Sequence, residues 1–514
     1  MNYPLSACGA VTVDAALRSA AEQFGDRVAF IDGIHRITYG EWARAAAGVA
    51  TILAEAGARP GQVVCLALPT SIEFAVSYIA ALWTGATVTG VDTRLGPTEL
   101  TGILGTVQPV VTVGAEDTRG CAVAAELGGT AISRADVVGA MSGPEAAYAT
   151  GTDPNSPAAI AWTSGTTGAP KGAWYSHRVL EFAASQSGPL SAPYDRRLFA
   201  TPFAHVGFLG RVWEQLAWAI TTVLTPRPWS ASAMLETIER ERITVAQGVP
   251  LQWQKVLEHP DLETTDLSSL RIIATGATRV PPELVRSLRA RLLCPVVVRY
   301  ASSEVPLATG TSPEDPPDIT AETVGRPLPG VEAKIVDEDG IPVGRNTTGR
   351  LLLRSPGAMS GYWNDPVSTR EAIDHNGWID VGDQARQTDR GDIVMLGRRS
   401  DMYVRAGYNV HPLEVERILS AHPEVLEAAV LGVPAAVVGE IGVAFIVPEA
   451  SAGPGVVEKV RAWCNEYLAD YKAPDRVEIV DELPRNAMGK IDKRVLRSGL
   501  AELTKKTRLR SSQV

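Results

Sequence analysis

Residues 163–172 read TSGTTGAPKG, placing three glycines, four hydroxyl side chains and one lysine in ten positions. Such a run can wrap phosphate oxygens with backbone N–H groups and hydroxyls while a lysine adds a point charge. The first chemistry to test is the P-loop, GxxxxGK[ST]. Counting from Gly165, Pro170 stands where that motif needs its last glycine, and Gly172 where it needs Ser or Thr. Proline removes one of the N–H donors that a phosphate nest relies on, so the P-loop reading fails. What remains is a phosphate loop built on Thr163, Ser164, Gly165, Thr166, Thr167, Gly168 and Lys171.

The elements that would position this loop are legible from periodicity. In the first half, Val13, Leu17, Ala20 and Phe24 share a helical face, Gly25 reads as a stop, and VAFI (28–31) as a strand. Thr38 and Glu41 have capping-box spacing before a helix with Trp42, Ala46, Val49 and Leu53 on one face. VVCLAL (63–68) reads as a buried strand, and Thr70 with Glu73 as the cap of the next helix. Helix–strand alternation of this kind predicts a mainly parallel sheet with helices on its faces. From about Val324 the pattern changes to short strands and turns, predicting a small β-rich subdomain. Beyond GRRSD, Pro412 starts a helix, EAAVLGV (427–433) is a strand, and Val456, Val460, Trp463 and Tyr467 mark a helical face. The terminal KKTRLRSSQV reads as a solvated tail.

The fold class expected is therefore α/β. A large N-terminal domain of layered sheets and helices (1–398) includes a small β-barrel-like subdomain at about 324–397. A hinge at 399–400 and a small, mobile α+β C-terminal domain (401–514) follow.

Bulk properties exclude several functions. The 514 residues carry 48 basic and 58 acidic groups, net charge -10, which gives no general attraction for nucleic acid or an anionic membrane. Cys8, Cys65, Cys121, Cys294 and Cys464 are odd in number, scattered and without CxxC pairs, which argues against a disulfide framework or zinc site. The start, MNYPLSACGAVTVD, lacks the basic region and apolar core of a signal peptide. Phe74–Val91 is apolar but interrupted by turn residues, so it reads as a buried helix, a glycine turn and a strand rather than a membrane span. The protein reads as cytoplasmic.

TSGTTGAPKG resembles the phosphate-loop motif of the adenylate-forming enzymes: acyl-CoA synthetases, firefly-type luciferases and nonribosomal adenylation domains. Further motifs follow in the family's order: PFAHVGFLG (202–210), ATGATRVPPEL (274–284), YASSE (300–304), GYW (361–363), GWIDVGD (377–383), GRRSDMYVRAGYNVHPLEVE (397–416) and PRNAMGK (484–490). The resemblance implies two half-reactions: a carboxylate attacks the α-phosphate of ATP, and a thiol, usually of coenzyme A, then displaces AMP.

It also implies roles for residues. Tyr300 would lie against adenine, with Ala301, Ser302 and Ser303 beside the nucleotide and Glu304 as the Mg²⁺ carboxylate. Ala301 and Arg299 stand where glycine is more common. Asp383 resembles the residue that accepts from both ribose hydroxyls, and Arg398 the one that reads ribose and phosphate. Gly276, Ala277 and Thr278 would line the junction of adenine and acyl carboxylate, and Phe203, His205, Val206, Gly207 and Phe208 the acyl pocket. His205 would either gate the acid or pack. Lys490 resembles the catalytic lysine that stabilises charge building on the phosphoryl oxygens. Ser400 resembles the pivot about which the C-terminal domain turns between the two steps. Ala406, Gly407, Tyr408, Tyr471, Lys472 and Arg94 would meet coenzyme A.

The leading expectation is an acid–thiol ligase that makes an acyl-CoA from a hydrophobic acid, since no acidic residue in PFAHVG awaits a substrate amine. Partial-reaction catalysis, transfer to a carrier protein, or ATP binding without catalysis are the alternatives.

Overall fold

Helix starts follow the capping chemistry of the sequence. Thr38 Oγ1 accepts the Glu41 N–H at 3.2 Å, and Glu41 Oε2 accepts the Thr38 N–H at 2.8 Å. This reciprocal pair opens helix Tyr39–Glu55, whose Trp42, Ala46, Val49 and Leu53 are buried as the spacing predicts. The second expected cap moves by one residue: Ser71, not Thr70, accepts from the Phe74 N–H at 3.3 Å at the start of helix Ile72–Trp83. Thr70 is engaged elsewhere, its hydroxyl accepting the Phe203 N–H at 3.0 Å. After that helix come Gly85 with φ of +79° and the buried strand Thr87–Gly90, so the apolar stretch folds back on itself. No helix among the described residues is long and apolar enough to cross a membrane.

The computed structural model describes residues 10–114, 129–143, 152–163, 170–186, 188–199, 201–276, 280–406, 408–435, 438–486 and 490–500. The chain divides into two compact units, residues 1–334 with 352–381, and 335–351 with 382–514.

The first unit contains two large sheets. One has nine strands, in the order Arg326–Pro327, Thr309–Gly310, Val296–Tyr300, Ile272–Gly276, Val245–Gly248, Arg196–Phe199, Thr221–Leu224, Val28–Asp32 and His35–Thr38. Its centre is parallel, from Val296–Tyr300 across to Val28–Asp32, as helix–strand alternation predicts. Helices Ala231–Arg240, Pro250–Glu258 and Pro282–Leu292 share a core with it through Met234, Trp253, Val285 and Val298. The other sheet has seven strands: Gly361–Tyr362, Gly172–Ser176, Pro157–Trp162, Thr87–Gly90, Val63–Ala67, Val111–Gly114 and Thr130–Ser133. The strands Glu332–Val336, Gly349–Arg354, Ile379–Gln387 and Ile393–Arg398 form a smaller sheet.

In the second unit, Val425–Ala435 and Gly439–Pro448 form a long antiparallel pair, flanked by Tyr403–Arg405 and by the parallel strand Arg476–Ile479. Helices Pro412–Ser420 and Val456–Tyr467 pack on it through Val415, Leu419, Val460 and Cys464. The buried stripe of the latter helix is Val456, Val460 and Cys464 rather than the expected Trp463 and Tyr467. The Trp463 indole N–H donates to the Ile418 carbonyl at 2.9 Å, and Tyr467 is exposed. The segment KKTRLRSSQV lies outside the described residues.

Candidate active site

The phosphate-loop motif sits on a hairpin. Strands Pro157–Trp162 and Gly172–Ser176 pair antiparallel, with Trp162 opposite Gly172. At the mouth, the Thr163 N–H donates to the Lys171 carbonyl at 2.9 Å, and the Lys171 N–H donates to Thr163 Oγ1 at 3.2 Å. The two ends of the motif are thus fixed to each other, although Ser164, Gly165, Thr166, Thr167 and Gly168 lie outside the described residues. The Lys171 ammonium stands 5.2 Å from the centre of the Tyr362 ring, a cation–π contact.

Tyr362 links this lysine to YASSE. Gly361–Tyr362 extends the seven-stranded sheet beside Gly172–Ser176, and the Tyr362 hydroxyl donates to Glu304 Oε1 at 2.8 Å. Glu304 is buried. From the neighbouring strand, the Tyr175 hydroxyl donates to the Ser303 carbonyl. Burial, then the charge of Glu304 and the nearby Tyr362, push the Tyr175 hydroxyl far above its ordinary pKa, so it remains a neutral donor. Ser302 closes the turn internally, accepting the Val305 N–H at 3.1 Å on Oγ. Ala301 is exposed at the end of strand Val296–Tyr300.

Gly276 ends the adjacent parallel strand, opposite Arg299. A Cβ on it would fall 2.3 Å from the Arg299 carbonyl oxygen, a backbone atom that cannot swing away, so only glycine fits there. Gly276, Tyr300 and Glu304 thus meet at the carboxyl ends of parallel strands, where open α/β sheets bind ligands. Ala277 and Thr278 lie outside the described residues.

His205 and Arg94, assigned to different ligands by sequence, converge on one carboxylate. Arg94 grips Asp92 through Nε to Oδ1 at 2.9 Å and Nη2 to Oδ2 at 2.7 Å, and His205 Nε2 lies 3.5 Å from Oδ2. Burial pulls the Asp92 carboxyl upward. The bonds from Arg94 and the nearby His205 outweigh it and hold the group well below the usual carboxylate range. Val206, Gly207 and Phe208 belong to the short helix Val206–Leu209 that follows. Phe203 and Phe208 stack with centroids 3.6 Å apart and planes 7° apart, inside an aromatic cluster with Phe30, Phe74 and Phe199. They are 0% and 3% exposed, so the structure places them in the core rather than on an open wall.

In the second unit, Asp383 and Arg398 face each other across the hairpin Ile379–Gln387 and Ile393–Arg398, with Arg398 Nε 3.0 Å from Asp383 Oδ1. Asp383 is buried and Arg398 partly exposed, an ion pair with its cation at the surface. Ser400 lies in the 3-10 turn Arg399–Asp401. Lys490 closes a small turn, its N–H donating to Asn486 Oδ1 at 3.1 Å and its carbonyl accepting the Asn486 N–H at 2.8 Å. Ala406 is exposed with φ of +51°, and Gly407 lies outside the described residues. Tyr408 and Tyr471 stack at 4.5 Å and 25°. Lys472 lies 5.8 Å from the Tyr471 ring and 2.6 Å from Glu414 Oε1. Tyr408 is thus brought to Tyr471 and its neighbour Lys472, 63 and 64 positions later in the chain.

Sequence reasoning missed Tyr175, Asp92 and the link through Tyr362. Tyr362 stood within a quoted motif, GYW, without a role; Asp92 lies two residues before Arg94 and gave no separate signal.

The chain belongs to the AMP-binding enzyme family: that family's model matches residues 17–363, and the AMP-binding enzyme C-terminal domain matches 414–490. Within this adenylate-forming superfamily it stands with the acyl-CoA synthetases. It is 33% identical to a 3-(7a-methyl-1,5-dioxo-octahydro-1H-inden-4-yl)propanoyl:CoA ligase of Rhodococcus jostii (strain RHA1), over 95% of this chain and 98% of that one. It is 38% identical to an indoleacetate–CoA ligase of Aromatoleum aromaticum, over 68% of this chain and 69% of that one. Among solved structures, ATP-bound MatB from Rhodopseudomonas palustris superposes with a TM-score of 0.87 at 28% identity, covering 95% and 99% of the two chains.

Proposed function

We propose that this AMP-forming acyl-CoA synthetase acts on a hydrophobic carboxylic acid, using Mg²⁺ with ATP and passing the acyl group to coenzyme A. The observation that carries the reading is the Lys171–Tyr362–Glu304 chain: an ammonium and a buried carboxylate joined through one tyrosine at the phosphate-loop hairpin.

In the first half-reaction an oxygen of the acid attacks the α-phosphorus. The bond from that phosphorus to the bridging oxygen breaks, and pyrophosphate leaves with the electron pair. Lys171 and the hydroxyls of the loop hold the departing phosphates, Tyr300 holds adenine, and Asp383 with Arg398 orients the ribose. Lys490 sets its charge against that building on the phosphoryl oxygens. Glu304 suits a magnesium ion: it is a single buried carboxylate, and no cluster of three or more metal-ligating side chains exists among the described residues. An ion held by one carboxylate and substrate phosphates fits that donor set, and it would neutralise charge on the phosphates. In the second half-reaction the thiol sulfur attacks the acyl carbon and the carbon–oxygen bond to AMP breaks. Domain 401–514 turns about Ser400 between the steps, bringing Ala406, Gly407, Tyr408, Tyr471 and Lys472 to coenzyme A. The stacked Tyr408–Tyr471 pair beside Lys472 supports this: it offers a flat face and a cation to a nucleotide. Arg94 stands with the acid-side His205 on Asp92, so its contact with coenzyme A phosphates requires release of that carboxylate.

The test is pyrophosphate release from ATP, Mg²⁺ and a panel of apolar acids, with and without coenzyme A. Acyl-CoA should form with one AMP and one pyrophosphate per turnover. Pyrophosphate release that coenzyme A never converts to acyl-CoA would point to a carrier-protein acceptor. No release from any acid would overturn the ligase reading.

A further inference from the structure

The arm that carries Lys490 is fastened at both ends within the second unit. Ahead of the lysine, Arg485 pairs with Glu427 on strand Val425–Ala435 and forms an antiparallel bridge with Ile491. The Asp492 N–H donates to the Pro484 carbonyl at 2.7 Å, closing the base of the loop. Residues 493–500 then run as a helix, and Leu496 and Leu500 pack with Ala429, Leu431 and Phe445 of the sheet. Asp492 caps that helix, its Oδ1 accepting the Arg494 N–H at 3.0 Å. A carboxylate suits the positive end of a helix dipole, and a cation in the first turn opposes it. Lys493 nevertheless occupies the first helical position, so its reason for being there lies outside the helix.

That reason is a pair of anions. Lys493 Nζ lies 2.8 Å from Glu416 Oε1 and 3.9 Å from Asp401 Oδ2. Glu416 is buried on helix Pro412–Ser420, and the same Oε1 accepts the Val430 N–H at 2.8 Å. Val430 belongs to Val425–Ala435, which is the outer strand of its sheet among the described residues. On this strand Ala428 and Val430 pack toward helix Pro412–Ser420, while Ala429 and Leu431 pack toward helix 493–500. Lys493 therefore reaches past the strand's edge, from the layer on one face to the layer on the other. Asp401 lies in the turn Arg399–Asp401, next to the pivot Ser400. One ammonium thus ties the Lys490 arm to a buried carboxylate and to the hinge turn. A buried carboxylate needs a paired cation, so the tie is not readily given up.

We infer that Lys493 is a positioning residue for adenylation: through Glu416 and Asp401 it fixes the arm on which Lys490 meets the phosphoryl oxygens. The inference rests on the ligase reading and on the role of Lys490 within it. A charge aimed at a transition state is effective because it is held in place beforehand, at no cost of reorganisation during the reaction. Lys490 stands three residues ahead of Lys493, so slack at the tie becomes displacement of the catalytic ammonium. A misplacement of about 1 Å costs on the order of 100-fold in rate. Thiolysis does not use Lys490, so the loss falls on the first half-reaction.

The experiment measures two rates in the full-length protein: single-turnover pyrophosphate release from ATP, Mg²⁺ and the best acid of the panel, and thiolysis of the matching acyl-adenylate, supplied ready-made. Lys493→Gln should slow the first by about 10- to 100-fold, in kcat rather than in KM for ATP. Thiolysis should stay within about twofold of wild type, and Lys493→Arg, which keeps the charge, should recover most of the adenylation rate. Glu416→Gln keeps an acceptor for the Val430 N–H but loses the ion pair, so it should slow adenylation in the same selective way; it carries the test should Lys493→Gln fail to fold. The double variant Lys490→Ala with Lys493→Gln should adenylate no more slowly than Lys490→Ala alone, because a residue that acts through Lys490 has nothing left to position. A purely structural role predicts instead a lower thermal midpoint, equal losses in both half-reactions and multiplicative effects in the double variant; that pattern would overturn the inference and leave the ligase reading standing. So would adenylation within about twofold of wild type in both Lys493→Gln and Glu416→Gln. Wild-type adenylation by Lys490→Ala would overturn the lysine's role and this inference with it, and inactivity of the wild type toward every acid would overturn the ligase reading itself.

Discussion

Replacing Tyr362 by phenylalanine isolates a single hydrogen bond. The ring remains, and with it the Lys171 ammonium 5.2 Å away; only the hydroxyl that donates to Glu304 Oε1 at 2.8 Å is lost. Glu304 is 8% exposed, so solvent cannot readily replace that donor. A hydrogen bond to a charged group contributes about 1.5–3 kcal/mol. If Glu304 must be held in one orientation for adenylation, that energy appears in the barrier, roughly a 10- to 150-fold fall in kcat/KM for ATP–pyrophosphate exchange. The Mg²⁺ concentration giving half-maximal exchange should rise with it if Glu304 meets the ion as proposed, because that carboxylate is no longer oriented. Tyr362→Leu removes the ring as well and should cost a further few-fold, in line with about 0.5–1 kcal/mol for an exposed cation–π contact. A Tyr362→Phe enzyme that exchanges within twofold of wild type, with an unchanged Mg²⁺ dependence, would refute the coupling of Lys171, Tyr362 and Glu304.

Two further outcomes test the remaining assignments. Lys490→Ala should lower acyl-adenylate formation by about 10²–10³ while leaving thiolysis of a supplied acyl-adenylate largely intact; single-turnover assays of each half-reaction would show whether both fall together. Glu214, whose burial raises its pKa but whose arginine partners lower it from 4.5 to about 2, stabilises the fold fully above its unfolded-state value and loses that contribution as pH falls from about 4.5 toward 2. Glu214→Gln should melt lower at pH 7, by on the order of 3 kcal/mol, and decline less steeply on acidification. Melting curves of the two proteins that stay parallel down to pH 3 would exclude the role.

The elements were legible where their signal is local. The Thr38–Glu41 cap, the buried face of Tyr39–Glu55 and the turn at Gly85 each depend on residues within one or two helical turns, and the structure has them as read. The alternation that predicts a parallel sheet is local too. The cap at Thr70 failed because its hydroxyl is taken by Phe203, a partner 133 positions away that no spacing rule reveals. The same limit explains the site. Tyr175 and Ser303 are 128 positions apart and Tyr362 and Glu304 are 58 apart; strand order, not sequence proximity, brings them together. Phe203 and Phe208 show another limit: an apolar pocket wall and an apolar core have the same composition, and only packing tells them apart. Arg299 did leave a trace, a bulky cation where the resembling family more often has glycine, but its place against Gly276 and over Gly310 needs three dimensions.

The carboxylate of Asp92 stands against two side chains, Arg94 and His205, that sequence alone would treat as unrelated. An anion shared in this way makes its claimants interdependent. Whatever draws the guanidinium outward strips Asp92 of the bonds that do most to hold its carboxyl below the usual range. If Arg94 turns to coenzyme A and His205 meets the acid, as proposed, one shared anion joins the two substrates' sides through side chains alone.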